Sequence, residues 1–191
     1  MFTNNAYRVV GVLILAVVLV ACNQQSIVPM KTLTPKASAQ KAIDQYDTNQ
    51  DGVLELEECS PALNALFTTG DEDENGVLTV AEIQARLQFH DDRQVGLITA
   101  AAYLESKQTP VKGVAIKLIP DPIFTGIPPA NGVADSNGFV IFQTQGEALS
   151  GICPGLYSIA ITDDEGTRTL KQGIEIGLTA NRGTPKINID D

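Results

Sequence analysis

The chain has 191 residues, 43% of them hydrophobic and 19% charged, a balance that fits one or two folded domains and excludes a chain dominated by disorder. Its net charge is −10, and the excess is concentrated: residues 44–92 hold thirteen carboxylates against one cation, Arg86. No basic patch is present to follow a phosphate backbone, which excludes nucleic acid as a partner.

The first predicted element is an export signal. Residues 1–21 place one cation, Arg8, ahead of a twelve-residue apolar run at 9–20. A lasting span needs about 20 apolar residues, so this run reads as a cleaved leader. The tetrad Leu19-Val20-Ala21-Cys22 resembles a bacterial lipobox, and the resemblance implies cleavage before Cys22 and lipid attachment to it. Two or more acyl chains anchor a protein stably where one is marginal. An ordinary signal peptide with an incidental Cys22 is the alternative. Asn23 follows, where an aspartate would favour inner-membrane retention in enteric-type lipoproteins, so the resemblance implies an exported, membrane-anchored protein at the outer membrane or cell surface. Residues 22–36 then carry the lipidated cysteine and a proline-containing tether with little apolar periodicity.

Residues 37–92 contain two twelve-residue stretches whose starts lie 24 residues apart: DTNQDGVLELEE at 47–58 and DEDENGVLTVAE at 71–82. Each matches D-x-[DN]-x-[DN]-G with a glutamate at position twelve, the EF-hand calcium-loop pattern. Calcium takes about six to eight oxygen ligands, and such a loop gathers them by wrapping one ion. In the first loop the assigned ligands are Asp47, Asn49, Asp51, the carbonyl of Val53, Glu55 directly or through water, and bidentate Glu58. In the second they are Asp71, Asp73, Asn75, the carbonyl of Val77, Thr79 directly or through water, and Glu82. Two calcium ions are therefore expected. Gly52 and Gly76 fill position six, where the sharp turn favours a residue without Cβ. Resemblance to paired EF-hands implies that Leu54 and Leu78 meet in a short two-stranded ladder.

Helix signals flank both loops. Ser38 is placed to cap an entering helix with Ile43 and Tyr46 on one face, and Ser60-Pro61 supplies a cap and a first-turn proline. Leu63, Leu66 and Phe67 share one helical face, as do Val80, Ile83 and Leu87. The short spacing implies one helix that both leaves loop one and leads into loop two. Dockerins also pair compact loops, but they usually lack a position-twelve glutamate, so that assignment is rejected. A sensor needs a methionine-rich groove, and the chain has only Met1 and Met30, which favours a fixed structural role.

Residues 93–191 switch to a period of two. Val114, Ile116 and Leu118 alternate with Ala115, Lys117 and Ile119, and Tyr157, Ile159 and Ile161 with Ser158, Ala160 and Thr162. Turn chemistry falls at Asp135-Ser136-Asn137-Gly138 and at Asp163-Asp164-Glu165-Gly166. The phrases TPVKGVAIKLIP, ANGVADSNGFVIFQT and CPGLYSIAI resemble transthyretin-like or carboxypeptidase-regulatory-like domains of bacterial exported proteins, and the match is good over residues 96–161. The resemblance implies a seven-stranded antiparallel β-sandwich of prealbumin type acting as a scaffold or interaction module. The expected fold class is thus multidomain α and β, a compact helical EF-hand pair followed by that sandwich.

Hydroxyisourate hydrolases share the sandwich but need catalytic histidines. Here His90 is the sole histidine and reads as a solvated helix-end residue, so no enzymatic activity is assigned. Cys59 and Cys153 remain once Cys22 is lipidated. They form either one disulfide, permitted by export, or a small core residue and a loop thiol. The functional expectation is a calcium-binding, lipid-anchored cell-envelope protein whose loops staple a β-sandwich facing an unknown protein or polysaccharide partner. The alternative is a calcium-dependent adhesin or polysaccharide-binding surface protein using residues 123–131, where Phe124 is the only aromatic side chain.

Overall fold

The computed structural model of the chain describes residues 34–93, 96–144, 151–177 and 183–190; the expected leader, Cys22 and most of the tether lie outside them. Helix α1 (Pro35–Tyr46) starts on a proline whose fixed φ suits a first turn, with Thr34 at the cap position. Ser38, expected to cap this helix, lies one turn inside it, and its hydroxyl is directed at the Ile123 carbonyl, 3.4 Å away. Helix α2 (Pro61–Phe67) follows its sequence signals closely. The Ser60 hydroxyl accepts the Leu63 amide at 3.1 Å, and Pro61 occupies the first turn. Helix α3 (Val80–Arg93) leaves the second acidic loop.

Between the helices, β1 (Val53–Glu55) and β2 (Val77–Thr79) form an antiparallel ladder with Leu54 opposite Leu78. Both leucines are fully buried, so the ladder seats the two loops on the core as well as on each other.

The remainder is β. A five-stranded antiparallel sheet runs in the order β10-β9-β5-β6-β8, built from β5 (Ala115–Pro120), β6 (Ala130–Val133), β8 (Gln143–Thr144), β9 (Gly155–Asp163) and β10 (Gly166–Ile176). The facing sheet is centred on β3 (Ala101–Ser106), which pairs antiparallel with β4 (Thr109–Pro110) and β7 (Phe139–Ile141) and parallel with β11 (Lys186–Asn188). Alternation puts Leu104, Ile116, Leu118, Phe142, Tyr157, Ile159, Ile161 and Ile187 between the sheets. Burying one such side chain contributes about 1.5–3 kcal/mol. The Tyr157 hydroxyl donates to the Cys153 carbonyl at 2.6 Å, which fixes the Pro-Gly turn ahead of β9. At the expected hairpin turn, the Asp135 carboxylate accepts the Asn137 and Phe139 amides at 2.7 and 2.9 Å.

The architecture corrects the expected fold class. A compact helical EF-hand pair followed by a seven-stranded antiparallel sandwich is not what forms. The described residues are mostly β, with eleven strands in three sheets and three short helices, and one strand pairing is parallel. Nor do the helices close a core alone. Ala39, Ala42, Ile43, Leu54, Leu63, Leu66, Leu78, Ile83 and Leu87 share one cluster with Ile123, Phe124 and Leu156 of the β half. The reason is surface: three short helices cannot bury enough apolar area among themselves, and the sheet supplies the missing wall. Helix α2 lies so close to β10 that a Cβ at Gly173 would collide with the Pro61 carbonyl. Glycine at that bulged point of β10 permits the approach.

Candidate metal centre

The two acidic loops follow the same course over their first nine positions and then part, residues 56–58 forming a turn where residues 80–82 begin a helix. Position four is left-handed in both, at Gln50 (φ 62°) and Glu74 (φ 57°), and position six is a left-handed glycine, Gly52 (φ 88°) and Gly76 (φ 84°). This double reversal curls the chain around the position-one carboxylate. Asp47 accepts the amides of Gln50 (2.7 Å) and Gly52 (2.9 Å), and Asp71 accepts those of Asn75 (3.1 Å) and Gly76 (3.0 Å). The ladder then places Val53 opposite Thr79 and Glu55 opposite Val77. Position seven of each loop therefore faces position nine of the other.

The position-twelve glutamates close the rings. Glu58 accepts the Thr48 amide (2.9 Å), the Thr48 hydroxyl (2.7 Å) and the Asn49 amide (3.1 Å). Glu82 accepts the Glu72 amide (3.1 Å), the Thr79 amide (2.9 Å) and the Thr79 hydroxyl (2.7 Å). Burial works to raise the Glu82 carboxyl, but hydrogen bonds led by those from Thr79 outweigh it and lower the pKa. The Thr48 hydroxyl and the neighbouring Glu55 hold Glu58 at about 2, while the contact with Glu58 pushes Glu55 up. Like-charged groups crowd at this end of loop one.

In loop two, Asp71, Asp73 and Glu82 each bring an oxygen within 4.8 Å of the others, the one such group among the described residues. Oxygens about 2.4 Å from a shared calcium ion lie within about 5 Å of each other, so this spacing fits a single cation. The donors are all hard oxygens, which suit calcium better than a soft metal. Loop one is less convergent. There the Asn49 amide donates to Asp51 (3.1 Å) and Glu55 (3.3 Å), and its own oxygen accepts the Asp51 amide (2.9 Å).

Two carboxylates missed at the sequence level stand behind these loops, Asp121 buried and Glu175 partly buried. Asp121, 2% exposed just after β5, accepts the Ser60 hydroxyl (2.6 Å), the Tyr46 hydroxyl (3.0 Å) and the Ile123 amide (3.0 Å). Burial, reinforced by the Asp121 charge, pushes the Tyr46 hydroxyl up to about 12. Glu175, on β10, accepts the Thr69 hydroxyl (2.8 Å) and Arg86 Nε (2.7 Å), with His90 Nε2 at 2.6 Å. Burial alone would raise the Glu175 carboxyl; the hydrogen bonds from His90, Arg86 and Thr69 and the His90 charge hold it at about 2. Arg86 also stacks on Phe89, 4.4 Å from the ring centroid.

Several expectations change here. His90 is 5% exposed and belongs to this cluster, not to a solvated helix end, because Glu175 of β10 meets its Nε2 at 2.6 Å and Gly177 lies against its ring. Phe124 is 3% exposed within the helical core, so residues 123–131 offer no aromatic platform for a sugar. Cys59 is half-buried and Cys153 buried, with no disulfide between them in the structure. Burial, helped by the Glu58, Asp121 and Glu55 charges, pushes the Cys59 thiol up to about 12 and keeps it protonated.

No protein-family model, no curated protein and no solved structure matches this chain. Among the described residues no helix is long and apolar enough to cross a membrane.

Proposed function

We propose that the chain is a calcium-binding protein of the cell envelope, anchored through a lipid on Cys22, in which residues 47–58 and 71–82 each wrap one calcium ion and fasten the helical layer to the β half. The observation that carries this reading is the convergence of Asp71, Asp73 and Glu82 on one cation-sized space within a loop whose first nine positions are repeated in backbone course at 47–55. Asp51, Asn49 and Glu58 join Asp47 around the first ion, and Asn75 joins the second set. The ions act as staples, not as triggers. Leu54, Leu78 and Leu87 are already buried, and Leu56 is the only large apolar side chain of the helical layer that is exposed among the described residues. No methionine-lined groove waits to open. The β half serves as the structural or interaction module that the staples hold in place.

The test is a calorimetric titration of the full chain with calcium, and with magnesium as control. Two calcium sites are expected, with Glu58→Gln and Glu82→Gln each removing one. A flat calcium titration sinks the reading. Release of a Cys22→Ser variant from membranes tests the anchor separately.

A further inference from the structure

Each acidic loop has its two flanks held together by a single carboxylate from the β half, Asp121 buried and Glu175 partly buried. Around loop one, Tyr46 immediately precedes the first loop residue and Ser60 lies two past the last. Their hydroxyls both donate to Asp121 Oδ2, while Oδ1 takes the Ile123 amide. Around loop two, Thr69 lies two residues before the first position and Arg86 one helical turn after Glu82. They donate to the two oxygens of Glu175, and His90 completes that carboxylate. We propose that Asp121 and Glu175 are positioning residues for calcium: each clasps the two ends of one loop and thereby sets that loop's affinity. This inference rests on the calcium reading above.

The physical case starts from the cost of closing a loop. A twelve-residue segment that must curl around an ion loses conformational freedom when it binds, and holding its ends in advance removes part of that loss from the binding step. A carboxylate suits the task because it accepts several hydrogen bonds at once, and partial burial strengthens those bonds by limiting their competition with water. Stability by itself is a weak reason for the arrangement, since buried ionic groups can often be replaced by apolar ones without loss. The two clasps are also independent. Asp121 follows β5 and Glu175 sits within β10, and among the described residues none donates to both.

Independence makes the inference testable by calcium titration calorimetry on the full chain, with each loop isolated in turn. Glu82→Gln leaves loop one to be measured, and Glu58→Gln leaves loop two. Asp121→Asn is expected to weaken loop one about tenfold and leave loop two within about twofold, and Glu175→Gln to do the reverse. Tyr46→Phe and Thr69→Val each remove one flank's hydroxyl while leaving the carboxylate and its other partners. They are expected to show the same loop selectivity at about threefold, and they cover the case in which a carboxylate variant does not fold. Loss at both loops alike, or lowered thermal stability with no selective change in affinity, overturns the clasps while the calcium reading stands. A parent chain that binds no calcium overturns both.

Discussion

Glu175 is the residue on which the most charge chemistry converges. Folding lowers its carboxyl from an ordinary 4.5 to about 2. A depressed carboxylate contributes stability that is complete above its unfolded pKa and fades as pH falls through the folded one, so the window here runs from about 4.5 down to about 2. At about 1.4 kcal/mol per unit, the contribution above that window is about 3 kcal/mol. In chelator, the thermal midpoint of the parent chain is expected to fall more steeply between pH 5 and pH 2 than that of Glu175→Gln; parallel slopes would contradict it. The sequence hid this residue. Glu175 lies between Ile174 and Ile176, a strand alternation that reads as a solvent-facing charge. Only tertiary contacts, α2 lying on β10 and Arg86 and His90 reaching over from α3, cover it. Asp121 was hidden in the same way, since an Asp-Pro after a strand reads as an ordinary turn.

At the scale of elements, the loop turns and the start of α2 were legible because every step in forming them is local, and the ladder through the resemblance to paired EF-hands. Glycine at position six, the acid spacing and the Ser60-Pro61 helix start act within a few residues, and the structure forms a β1–β2 pairing and an α2 that match them. The fold class was not legible, because which surface the helices cover depends on contacts more than a hundred residues apart. Asn64 donates to the Lys171 carbonyl at 3.2 Å, and α2 rests on β9 and β10. No periodicity in either segment encodes that meeting. Gly173 is where the meeting is tightest. Gly173→Ala is expected to push Pro61 and α2 off the sheet and to destabilise the protein by about 1–3 kcal/mol, read as a lowered denaturation midpoint. An unchanged midpoint would mean that α2 is not held against β10.

For the whole molecule, the shared cluster of Leu63, Leu66 and Leu87 with Ile123, Phe124 and Leu156 makes cooperativity the central expectation. Helical and β signals are expected to melt together in one transition. Calcium at about a hundred times its dissociation constant should raise stability by about 2.7 kcal/mol per occupied site, moving both signals equally. Scanning calorimetry beside circular dichroism checks this, and two separate transitions, with calcium shifting one alone, would contradict it. The concentration of acids in residues 44–92 works in the same direction, since the repulsion among them is relieved as cations bind.

The contact between α2 and the sheet also limits how the chain can be divided. Leu156 is fully buried beneath the helices, and Leu63 and Leu66 are fully buried from the other side. A cut near residue 93 would give two fragments with matching oily scars: a calcium-loop piece that clumps with itself, and a sheet piece with a bare face. Any attempt to graft these loops elsewhere as a portable metal tag has to carry that seam along, or replace it with another wall.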